Sequence, residues 1–276
     1  MIRKLAITLF LIAVTCTNSP FAQNREILGE YKIGIIGREL NNPIYQAAQL
    51  GAQDAALELS RKYSIDIELL TLTPDTDKGA DQSLAMGELF VQNADGFIIS
   101  PEDNASVRAS IEFAQTQGQQ IVFFENDLAG VQPLTTVLAD EAEAGRLAAE
   151  AMLKALPDRS RVAILTSATS DARLEQRLAA VRATLGYKRI HEIVSCQPNY
   201  HSAIRAIEDA QRGDTNHMIS GWIFLSDWPL SGMPALPWKA GKVPTVAIQS
   251  SPSAFLYIDQ GYINSLVVHP YYQWGY

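Results

Sequence analysis

Cysteine is nearly missing from this sequence: across 276 residues only Cys16 and Cys196 carry a thiol. Cys16 falls in a segment that reads as a cleaved leader, so the mature chain has one thiol and no internal disulfide. There is no CxxC and no HExxH, and the histidines at 191, 201, 217 and 269 lack metal-ligand spacing. The common zinc architectures are therefore excluded, and no metal is expected. GxSxG, GxGxxG and the P-loop are absent too, which removes the usual anchors of acyl transfer, dinucleotide binding and phosphoryl transfer; no cofactor is expected. Positive charge is in short supply, 22 Lys and Arg against 30 Asp and Glu for a net charge of −8. A surface of that sign repels nucleic acid phosphates and acidic head groups.

Long apolar runs are also lacking. Nothing approaches the roughly 20 apolar residues of a transmembrane helix. The longest run, Leu5 to Val14, follows Arg3 and Lys4 and leads into "SPFAQ". That is the layout of a secretory signal peptide over residues 1–23, cleaved after Ala22. Its removal takes the net charge from −8 to −10, because residues 1–23 contain no acid. An acylated lipoprotein N-terminus at Cys16 is the alternative, although "AVT" before it lacks the Leu that a lipobox wants. The mature protein is expected to be exported to the periplasm and soluble.

What is present is an alternation. Apolar segments "YKIGIIG" (31–37), "IDIELLTL" (65–72), "GFIIS" (96–100), "QIVFFE" (120–125), "RVAILT" (161–166), "GWIFL" (221–225), "PTVAI" (244–248) and "SLVV" (265–268) read as strands. Segments of helical period lie between them. One starts at Pro43 with Asn42 as its cap, another near Asp140, and a third at Asp171. This pattern predicts an α/β fold with parallel sheets covered on both faces. The turn-rich "NDLAGVQPLTT" (126–136) divides it into an N-terminal lobe over 24–135 and a C-terminal lobe over 136–269, with 270–276 starting a return to the first.

In open parallel sheets ligands sit beyond the carboxyl ends of the strands. The residues there are Arg38 to Tyr45, Ser100 to Asn104, Glu125 to Asp127, Ser167 to Arg173, Ser226 to Trp228 and Gln249 to Ser251. They are rich in Asp, Asn, Gln and Arg, which engage neighbouring hydroxyls, and in aromatics, which cover the C–H face of a sugar ring. Taken singly, such residues usually cap helices, and that is the expectation for Asn42 and Asp171. Six such loops pointing at one crevice suggest a ligand.

The stretches "YKIGIIGRELNNPIYQAAQLGAQDAALEL", "ADGFIISPEDNASVRASIEFAQTQGQQIVFFEND", "WIFLSDWPL", "VAIQSSPSAFLYIDQGYINSLVV" and "HPYYQWGY" resemble the type I periplasmic sugar-binding proteins, the group that includes ribose- and autoinducer-2-binding proteins. The resemblance implies two Rossmann-like lobes joined by a hinge, closing on a sugar. It assigns Asn41, Asn42 and Tyr45 to the first loop of the cleft, Glu125 and Asn126 to the next, Arg173 to an oxygen-pairing arginine, and Asp227 and Trp228 to a strand tip of the second lobe. Gln249 stands where relatives commonly have aspartate, and His269 where they commonly have glutamine. Glu125 is one methylene longer than the usual residue. These departures point away from ribose itself. Relatives also continue through a further helix and strand, so the resemblance implies a shortened chain. Bare apolar sheet would follow, each large side chain left unburied forgoing about 1.5–3 kcal/mol.

The expected function is a monomeric, non-enzymatic solute-binding protein whose partners are a small sugar and an ABC importer permease or membrane sensor. Two other classes share the fold or the cleft. A sugar-responsive LacI-type regulator would need a DNA-binding headpiece where residues 1–23 are export-like. A carbohydrate-active enzyme would need a singled-out pair of carboxylates, and none is apparent.

Overall fold

The computed structural model describes residues 26–233, 236–249 and 251–276. The expected leader and Cys16 lie outside the described residues.

Two five-stranded parallel sheets form the two lobes. The first contains β1 (Glu30–Ile36), β2 (Asp66–Thr71), β3 (Gly96–Ile99), β4 (Gln120–Phe124) and β5 (Thr135–Val137), in the order β2-β1-β3-β4-β5. The second contains β6 (Arg161–Ser167), β7 (Ile190–Cys196), β8 (Ile219–Phe224), β9 (Thr245–Ile248) and β10 (Ser265–Val267), in the order β10-β9-β8-β6-β7. Read from its other edge, the second sheet winds as the first does. Each lobe is thus one copy of the same α/β layout. The expected α/β class with two parallel sheets is what the chain adopts.

Helices cover both faces of each sheet. In the first lobe α2 (Gly79–Val91) and α3 (Ala105–Thr116) bury Met86, Leu89, Val107 and Ile111 against Phe97, Ile99, Ile121 and Phe123. The opposite face takes α1 (Pro43–Tyr63), whose Tyr45 and Ala48 pack with Phe124 and Trp274. In the second lobe α4 (Glu141–Ala155) and α5 (Ala172–Leu185) cover one face, while α6 (Tyr200–Gly213) and α7 (Pro252–Asp259) cover the other. The chain crosses between lobes after β5 and again after β10. The first crossing leads into α4, which packs on α5; the second leads into α8 (Tyr271–Gly275), which packs back onto α1.

All eight strand segments read from the sequence are strands. The expected lobe boundary at residue 135 falls inside β5, which pairs with β4, so the first sheet runs through Val137. β5 and β7 escaped the sequence pattern, although the other two edge strands, β2 and β10, did not. β5 has three residues, and β7 carries His191 and Glu192 on a half-exposed edge, which breaks its apolar run.

Candidate functional site

The carboxyl ends of both sheets meet across a cleft of about 370 Å³. Glu39, Asn42, Pro43 and Ile44 line it from the loop between β1 and α1. Asp227 enters from the end of β8, Gln249, Ser251 and Pro252 from the end of β9, and Tyr271 from the crossing after β10. Both lobes therefore contribute to one pocket.

Local chemistry fixes these side chains. Asn42 caps α1: its Oδ1 accepts the Ile44 N–H at 3.0 Å, and Pro43 occupies the first helical position, where no N–H is needed. The amide nitrogen of Asn42 is left for other partners. Asp227 Oδ2 accepts the Ser251 N–H at 2.7 Å, which ties the end of β8 to the start of α7. Gln249 takes the left-handed conformation (φ 82°), and its Oε1 accepts from the buried Ser226 hydroxyl at 2.7 Å.

Glu125 repeats this device in the first lobe. It is also left-handed (φ 64°), and its Oε2 accepts from the buried Ser100 hydroxyl at 2.7 Å. The backbone N–H groups of Glu125 and Gln249 both donate to the last residue of the neighbouring edge strand, Val137 and Val267. Two non-glycine residues thus hold a costly backbone conformation at matching strand ends. Asn126 sits beside Glu125, its Nδ2 3.4 Å from the Ser100 hydroxyl.

The remaining residues singled out from sequence are placed differently. Asn41 is exposed in the turn before Asn42. Tyr45 is buried edge-on against Phe124, and burial and the neighbouring Glu125 carboxylate push its phenol well above the ordinary range. Trp228 opens a short 3-10 turn (Trp228–Leu230) and wedges half-buried between the two apolar clusters of the second lobe. The Arg173 side chain is half exposed, 3.5 Å from the Asp171 carboxylate. Asp171 caps α5 as expected, accepting the Arg173 and Leu174 N–H groups. Burial works to raise the Asp171 pKa, but Arg173 and these N–H groups hold it below the ordinary value. His269 is turned inward and buried, stacked on Trp274. Of the residues singled out, Asn42, Asp227 and Gln249 line the cleft. Glu39 and Tyr271 were not singled out. Position in the first loop was the available signal for Glu39, whereas Tyr271 depends on the return crossing.

The sequence matches the periplasmic binding protein domain over residues 33–276. The chain belongs to that family. Comparison with curated proteins returns no match. Among solved structures, AraP, an arabinose binding protein from Geobacillus stearothermophilus, is similar with a TM-score of 0.73 at 14% identity, over 90% of this chain and 84% of that one. A periplasmic ribose ABC transporter structure from Conexibacter woesei gives 0.70 at 19%, over 90% and 83%. GanP, a glucose-galactose binding protein from Geobacillus stearothermophilus, gives 0.60 at 19%, over 90% and 88%. These are likenesses of fold.

One feature of this periplasmic binding protein had no sequence signal: a buried ionic knot where the two crossings meet the second lobe. Arg177 is 3% exposed. Its Nε donates to Glu141 Oε2 at 2.5 Å, its Nη1 to the Leu225 carbonyl at 2.6 Å, and its Nη2 lies 3.0 Å from His269 Nε2. An arginine N–H can only donate, so His269 Nε2 is the acceptor and the ring proton sits on Nδ1. Burial lowers the His269 pKa, Glu141 opposes this, and Arg177 and Arg173 add to the lowering. The knot joins the start of α4, the end of β8 just before Asp227, and the crossing just before Tyr271. It braces two walls of the cleft.

Proposed function

We propose that this periplasmic binding protein is exported to the periplasm and there captures a small sugar or sugar-like molecule in the interlobe cleft. It acts by binding, without chemistry, and hands its ligand to an ABC importer permease or a membrane sensor as a monomer. The observation that carries this reading is the single cleft lined from both lobes by hydrogen-bonding side chains, Asn42 on one side and Asp227 and Gln249 on the other. The three structural relatives described above, bearing arabinose, ribose and glucose-galactose in their names, support the ligand class.

In this account the Asn42 and Gln249 amides donate to ligand oxygens, and Asp227 accepts from ligand hydroxyls. Asn41, Asn126, Glu125 and Trp228 flank the cleft and reach the ligand as the lobes close, while Arg173 stays beside Asp171; Tyr45 and His269 support the wall from behind. A ligand touched by both lobes favours the closed form, because in the open form it keeps one set of contacts. A thermal-shift screen of the mature chain against pentoses, hexoses, polyols and amino sugars tests this, since a ligand that binds only the folded state raises Tm. A rise with at least one sugar is expected. No rise with any member of the panel would overturn the reading.

A further inference from the structure

The charge in the cleft is one-sided. Glu39 and Asp227 line the same pocket from opposite lobes, and no lysine or arginine among the described residues lines it. The Glu39 carboxylate has no hydrogen bond or ion pair among the described residues. Asp227 uses Oδ2 on the Ser251 N–H, and its Oδ1 has no hydrogen bond among the described residues. The nearby cations are already engaged. Arg38 makes a two-pronged contact with Asp77 at 2.8 and 2.7 Å, Arg177 is committed to Glu141, and Arg173 lies beside Asp171.

We propose that the ligand is an amine-bearing sugar or polyol whose ammonium group sits between Glu39 and Asp227. This rests on the sugar-cleft reading above and narrows it. When the lobes close, both carboxylates lose water, and a neutral guest returns only hydroxyl donors to them. An ammonium offers three donors and the opposite charge, so it offsets the desolvation that a neutral sugar leaves uncompensated. The amide nitrogens of Asn42 and Gln249 remain for the ligand's hydroxyl oxygens, because their carbonyl oxygens are occupied by the Ile44 N–H and the Ser226 hydroxyl.

The test is titration calorimetry on the mature chain at low ionic strength, with a chelator present so that no metal bridges the carboxylates. D-glucosamine and D-galactosamine are compared with D-glucose and D-galactose, and with the N-acetylated amines, which keep the substituent but lose the charge. The amines should bind at least about tenfold tighter than their neutral counterparts, with added salt weakening the preference. Glu39→Gln and Asp227→Asn should each reduce it, while Glu112→Gln on the outer helix α3 should leave it intact. Neutral sugars binding as tightly as the amines would overturn the proposal and leave the sugar-binding reading standing. An amine preference surviving both cleft substitutions would also overturn it, and binding by none of these compounds would count against both readings.

Discussion

Arg177 is buried with its donors shared among a carboxylate, a backbone carbonyl and an imidazole. Removing it strands Glu141, itself buried, without a counter-charge. Arg177→Met is therefore expected to cost about 3–5 kcal/mol in urea denaturation, whereas pairing it with Glu141→Leu should recover much of the loss. His269 adds a pH dependence of defined sign. Its folded pKa lies below the ordinary 6.5, so the folded state binds this proton less readily than the unfolded chain. The contribution is complete above the unfolded value and is lost as pH falls through the interval down to the folded one. Stability should thus fall as pH drops below the ordinary histidine value of 6.5, and His269→Gln should flatten that slope in a series of thermal melts. Sequence marked His269 as a departure from relatives but held no hint that it meets Arg177, because the knot joins residues 92 positions apart. Asn42 and Asp171 were legible for the opposite reason: a cap acts within its own turn.

Among the elements, α8 is the one most sensitive to small changes. It lies along α1 from Ala48 to Glu58, and it seats closely because two glycines face backbone. A methyl on Gly51 would collide with the Tyr272 carbonyl, and one on Gly275 with the Ala48 carbonyl. Tyr272 then donates its hydroxyl to Asp54 at 2.8 Å, and Tyr276 donates to Glu58. Gly51→Ala should accordingly lower Tm by several degrees through unseating of α8, a cost of about 1–3 kcal/mol of overpacking. Gly87→Ala, where a methyl meets nothing within 4 Å, should lower it far less and stand as the control. Strands with continuous apolar runs were readable because both their faces are buried. β5 and β7 were not, since two threonines in β5 and the His191–Glu192 pair in β7 break the apolar pattern.

At the scale of the molecule, the two lobes are one layout used twice and exchanged at the crossings. The helix after the first lobe's last strand packs on the second lobe, and the helix after the second lobe's last strand packs on the first. Even details recur, as with the left-handed Glu125 on Ser100 and Gln249 on Ser226. The sequence showed no repeat, because the layout asks only for strand, helix and turn in the right order, which many residue choices satisfy. The α/β class was legible from that order, the division into two lobes from the turn-rich break at 126–136 and the family resemblance, and the cleft from the rule that strand tips face ligands. Which tip residues point into the cleft was not, since that depends on the angle between lobes and on side chains turned inward, as at Tyr45 and His269.

The claim on which this account turns is that a single ligand touches both lobes at once. It is tested by the calorimetric affinity of the tightest sugar found by thermal shift, measured for the unaltered chain, for Asn42→Ser in the first lobe and for Asp227→Ala in the second. Serine keeps a capping oxygen for α1 while removing the amide. The account predicts that each substitution weakens binding by about tenfold or more. Full affinity in either variant would place the sugar on one lobe alone and contradict it.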